Sequence, residues 1–80
     1  MSILKNKVKS YLSSECNTNI DNFSTEALER VKDYVESLSN SKGCLFHISE
    51  LYCNRRNRSE VIEVKVKNDK NEEDGISLII

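Results

Sequence analysis

Apolar residues recur along this chain at two different periods, and the change of period divides it. Over residues 2 to 13, Leu4, Val8, Tyr11 and Leu12 fall at i, i+4, i+7 and i+8, which lines one face of a helix. Ser2 is the expected N-cap, and Lys5, Lys7 and Lys9 fall off the apolar face. Residues 14 to 23 (SECNTNIDNF) are polar and turn-rich and read as a loop. Ser24 then caps a second helix expected to run to about residue 40, with Glu26 and Glu29 in its early turns, where the helix dipole favours them. Ala27, Val31, Tyr34, Val35 and Leu38 form its buried stripe, and Phe23 and Leu28 fit a hydrophobic staple. Glu26–Arg30 and Lys32–Glu36 are spaced as i, i+4 pairs, and Lys42-Gly43 reads as the stop.

Beyond Gly43 the period shortens. Residues 60 to 67 alternate strictly: Ile62, Val64 and Val66 face one way and Glu63, Lys65 and Lys67 the other. That is the pattern of a half-buried antiparallel strand. NDKNEEDG follows as a charged loop, and GISLII supplies a second strand, giving a C-terminal hairpin. Residues 44 to 53 (CLFHISELYC) fit two periods. Cys44, Phe46 and Ile48 alternate as in a strand, whereas Leu45, Ile48, Leu51 and Tyr52 fit a helix. The expected fold is α+β: two N-terminal helices packed on one face of a small antiparallel sheet. Its strands are residues 60 to 67, 76 to 80 and, on the strand reading, 44 to 49.

Size narrows the function. Eighty residues make one domain. A chain this short buries only about 60% of its unfolded surface. Apolar residues are 38% and aromatics 6% of it, with no Trp, enough for a thin core but not for a deep substrate pocket as well. Small chains compensate by oligomerising or by docking on a partner. Cys16, Cys44 and Cys53 are odd in number and lack CxxC spacing, which reads as reduced thiols in a cytosolic protein. Lys5, Lys7 and Lys9 interrupt the apolar positions of the first helix, so no signal peptide is read, and no stretch approaches the length of a membrane span. The expected location is cytoplasmic. Lys, Asn and Ile make 24 of the 80 residues, an AT-rich codon bias shared with phages and mobile elements.

The net charge is -1, yet CNRRNRSEV (residues 53 to 61) holds three of the four arginines. Guanidinium forks match phosphate and carboxylate oxygens bidentately. Arg55, Arg56 and Arg58 would make the contact, Asn54 and Asn57 add neutral donors, Tyr52 offers a stacking face, and Lys65 and Lys67 extend the strip. The bland alternative is a solvated turn whose charge is balanced by Glu50, Glu60 and Glu63. A winged helix–turn–helix has a similar order of elements, and ISELY resembles the opening of its second helix. A DNA-reading version needs a recognition helix next, and the β-branched RRNRSEVIEVKV follows instead.

The remaining candidates favour structure over chemistry. His47 is the only histidine, and catalysis needs a nucleophile and an orienting acid beside it. Cys44, His47 and Cys53 would supply three metal ligands at irregular spacing and no fourth. Asp69, Glu72, Glu73, Asp74 and Gly75 lack the alternating acidic positions of a calcium loop. No catalytic residue, metal or cofactor is therefore expected. In GISLII, Ile76, Leu78 and Ile80 either pack on the chain's own helices or form an edge that pairs with a second copy; the thin core favours a homodimer.

The sequence points to a small non-catalytic binding protein that regulates or inhibits a larger cytosolic partner. The alternative is a nucleic-acid-binding protein that grips RNA or single strands by the phosphate backbone.

Overall fold

The computed structural model describes residues 3–16 and 18–80, and of Arg56 the backbone alone. The chain is α+β. Helices α1 (Ile3–Tyr11) and α2 (Thr25–Lys42) precede strands β1 (His47–Arg56), β2 (Ser59–Lys67) and β3 (Glu73–Ile79), which form one antiparallel sheet in the order β1-β2-β3. The N-cap expected at Ser2 lies outside the described residues. The polar connection between the helices contains a short 3-10 turn, Ile20–Asn22.

Local chemistry sets the ends of α2. The Ala27 N–H donates to Ser24 Oγ at 3.2 Å, satisfying one of the donors left free at a helix start. Gly43 ends the helix in the left-handed region, φ 69°, and its N–H bonds the Ser39 carbonyl. Glycine has no Cβ to clash there.

Val8 of α1, then Ala27, Leu28, Val31 and Val35 of α2, meet Ile48 and Leu51 of β1 and Ile62, Val64 and Val66 of β2 in one core cluster. Ile20, Phe23 and Phe46 complete it. Tyr34 and Leu38, on the same helical stripe, are half-buried against it. Each fully buried Val, Ile or Leu contributes about 1.5–3 kcal/mol relative to exposure. A polar clasp joins the helices: the Tyr11 hydroxyl donates to Glu36 Oε2 at 2.7 Å, and Lys32 pairs with Glu36 at 3.3 Å.

Of the two-period segment, residues 47 to 53 are strand and 44 to 46 lead into it, so β1 starts three residues later than the expected 44 to 49 and runs on to Arg56. Ile48 pairs with Val66 and Glu50 with Lys65, so a bulge at Ser49 inserts one extra residue into β1. Ile48 and Leu51 are thereby both buried at a spacing of three. ISELY lies within β1, and no helix stands between α2 and β2 among the described residues.

The two sheet edges differ. Along β1, Leu12 forms a parallel bridge with Ile48, the Ser13 N–H donates to the Ile48 carbonyl, and the Thr18 hydroxyl donates to the Leu51 carbonyl. Along β3, nothing pairs with the outer edge among the described residues. β3 also begins earlier than its apolar run, at Glu73. The loop before it is organised by Asn68, which is 7% exposed. Its Oδ1 accepts from the Lys70 and Glu72 N–H groups, and its Nδ2 donates to Cys44 Sγ and Glu72 Oε1. No helix is long and apolar enough to cross a membrane among the described residues.

A candidate anion-binding hairpin tip

The arginines mark the β1-β2 hairpin. Arg55 and Arg56 end β1, Arg56 pairs with Ser59, and Asn57-Arg58 form the two-residue connection. Asn57 has φ 48° and Arg58 φ 70°. Two consecutive left-handed residues make a type I′ turn, whose twist matches the flanking strands. Asparagine suits the first position. The second is normally glycine, and a left-handed L-residue costs about 1–2 kcal/mol.

Asn54, Arg55, Asn57 and Arg58 are exposed. Arg55 lies opposite Glu60 in the ladder, and with Arg58 and Ser59 these residues line an open hollow of about 270 Å³. Even so, neither Arg55 nor Arg58 has a carboxylate within 4.0 Å among the described residues.

The three glutamates that would balance the cluster are engaged or placed elsewhere. Glu50 accepts from the Tyr52 hydroxyl at 2.9 Å and pairs with Lys65 at 3.3 Å. The Tyr52 hydrogen bond, and then Lys65, hold its carboxyl below the usual range, while Glu50 in turn raises the Tyr52 phenol. Glu60 accepts from the Ser24 hydroxyl at 3.4 Å, beside the start of α2. Glu63 lies on the outer sheet face, opposite Tyr52 on one side and Ser77 on the other.

Lys65 and Lys67 do not join the arginines. Lys65 is six residues along β2 from Ser59, a distance of about 20 Å. Lys67 is farther still and pairs with Glu73 at 3.2 Å. Tyr52 is 53% exposed and belongs with Lys65: both border an open depression of about 510 Å³ on the outer face, with Glu50, Glu63, Gly75 and Ser77. The structure therefore separates two surfaces, an arginine tip and a charge-paired sheet face. The left-handed Arg58 and the Ser24–Glu60 contact were not read from sequence. Asn-Arg between two strands carries the first signal; the second depends on tertiary placement and carries none.

The other candidates are dispersed. His47 is half-buried in β1, and Cys44 accepts from Asn68. Cys53 is exposed, and all three cysteines are free. No group of three His, Cys, Asp or Glu side chains is arranged to hold a metal among the described residues. No protein-family model, curated protein or solved structure matches the chain.

Proposed function

We propose that the protein is a small non-catalytic binding module that regulates or inhibits a larger cytosolic protein, docking its β1-β2 hairpin tip on a carboxylate-bearing surface of that partner. The two helices packed on one face of the sheet serve as a rigid backing. The observation that carries this reading is the tip itself: the exposed guanidinium groups of Arg55 and Arg58, with no carboxylate partner among the described residues, on a turn that tolerates arginine where glycine costs less. Backbone strain retained at a surface position motivates a functional role. Guanidinium forks recognise planar carboxylates bidentately.

Nucleic-acid binding is the second reading, favoured by the exposed ring of Tyr52, on which a base can stack. The outer face opposes it, because Glu50, Glu63 and Glu73 outnumber Lys65 and Lys67 there. Affinity capture from a lysate of the source organism distinguishes the two. Wild-type bait is expected to retain one defined protein after nuclease treatment, and an Arg55/Arg56/Arg58→Ala bait to lose it. Equal capture by both baits, or loss on nuclease treatment, overturns the reading.

A further inference from the structure

We propose that β3 is a self-association edge: two copies of this chain pair β3 with β3, antiparallel, about a two-fold axis through Ser77. The two three-stranded sheets become one of six strands.

The direction of the backbone groups supports this. The Ile80 N–H donates to the Glu60 carbonyl at 2.9 Å. Hydrogen-bonding direction alternates along an antiparallel strand, so Leu78 and Ile76 also turn theirs toward β2. Gly75, Ser77 and Ile79 turn theirs to the open edge. In agreement, the Gly75 N–H bonds the Asp74 carboxylate at 2.8 Å rather than β2. Ser77 and Ile79 have no such cover among the described residues.

Natural sheets blunt exposed edges with charged side chains, proline or a bulge. The charges of β3, Glu73 and Asp74, are confined to its start; from Gly75 to Ile80 there is no charged side chain and no proline, and the β2-β3 register is unbroken. The opposite edge is covered at Ile48 and Leu51 of β1 by Leu12, Ser13 and Thr18, whereas no such contact lies along β3 among the described residues.

The edge is complementary to itself. With the axis at Ser77, Ile76 of each copy lies opposite Leu78 of the other, on the face the helices cover incompletely. Ile76 is 39% exposed there and Leu78 half-buried. On the outer face, Ile79, 69% exposed, lies opposite Gly75 of the second copy, where no side chain competes for space. No two side-chain carboxylates oppose one another in this register, whereas an axis at Asp74 would set two face to face. The pairing also puts the two arginine tips at opposite ends of the joined sheet, on the order of 40 Å apart from strand spacing and rise. Such a dimer would engage two anionic sites at once.

Sedimentation equilibrium of the reduced full chain, from micromolar to submillimolar, tests the proposal. Ser77→Pro removes the edge N–H without touching the β2 ladder, as edge strands tolerate. Ser77→Lys sets like charges together at the axis. The wild type is expected at twice 9.2 kDa, and both variants at the single-chain mass with unchanged circular dichroism. If Ser77→Pro unfolds, Ser77→Lys alone decides. A wild type at the single-chain mass throughout overturns the proposal, even if it captures an added strand-forming peptide. Folded Ser77→Lys that remains dimeric overturns it equally.

Discussion

Arg58 joins backbone strain to surface charge in one residue. Its φ of 70° costs an L-amino acid about 1–2 kcal/mol. Glycine would relieve that strain but lose about 0.4–1 kcal/mol to the greater freedom of its unfolded chain. Arg58→Gly should therefore raise stability by about 0.5–1 kcal/mol in urea denaturation, the net of these effects. The same variant should bind anions more weakly. A variant no more stable than wild type would remove the strain argument. The arginine cluster was legible as composition at Arg55, Arg56 and Arg58. That Arg55 and Arg58 lack a carboxylate partner among the described residues was not, because it depends on where the glutamates go. Cross-strand register takes Glu50 to Lys65 and Glu63 to the outer face, while tertiary contact takes Glu60 to Ser24.

Among the elements, α1 and α2 share a titratable clasp. Burial first, and then its hydrogen bond to Glu36, push the Tyr11 phenol up to about 12. A group whose folded pKa is raised stabilises the fold fully below its unfolded value and loses that contribution as pH rises through the folded one. The window here runs from the ordinary tyrosine value of 10.0 to about 12. The stability advantage of wild type over Tyr11→Phe should be constant from neutral pH up to the lower limit and shrink across the window. Chemical denaturation of both proteins at several alkaline pH values checks this; parallel curves would rule the clasp out.

The helical period located both helices because their apolar stripes are regular. Residues 44 to 53 were ambiguous for an identifiable reason. The bulge at Ser49 stretches the strand period of two to the three-residue step from Ile48 to Leu51, and that step imitates a helix. The sequence pattern makes β3 short because Glu73 and Asp74 look like loop, yet they pair with Lys67 and Val66. On an exposed edge strand, charged residues stay in water while the backbone still completes the ladder.

At the scale of the whole molecule, charge is segregated by the fold. Lys65 and Lys67 are neutralised across the sheet, and Arg55 and Arg58 project from the hairpin tip with no ion pair among the described residues. A chain with net charge -1 thus presents a local cationic end without being a basic protein. Its contacts should be short-ranged and confined to the tip, since longer-range attraction is screened within about 8–10 Å at physiological salt.

The most direct test of that claim is a titration of three labelled probes: a glutamate-rich peptide, single-stranded RNA and duplex DNA. Each is titrated at about 50 mM and about 200 mM salt, comparing wild type with Arg55/Arg56/Arg58→Ala. The account predicts salt-sensitive binding of the carboxylate peptide that the variant loses, with the nucleic acids bound more weakly. Peptide binding unchanged in the variant, or no binding of any probe at low salt, would contradict it.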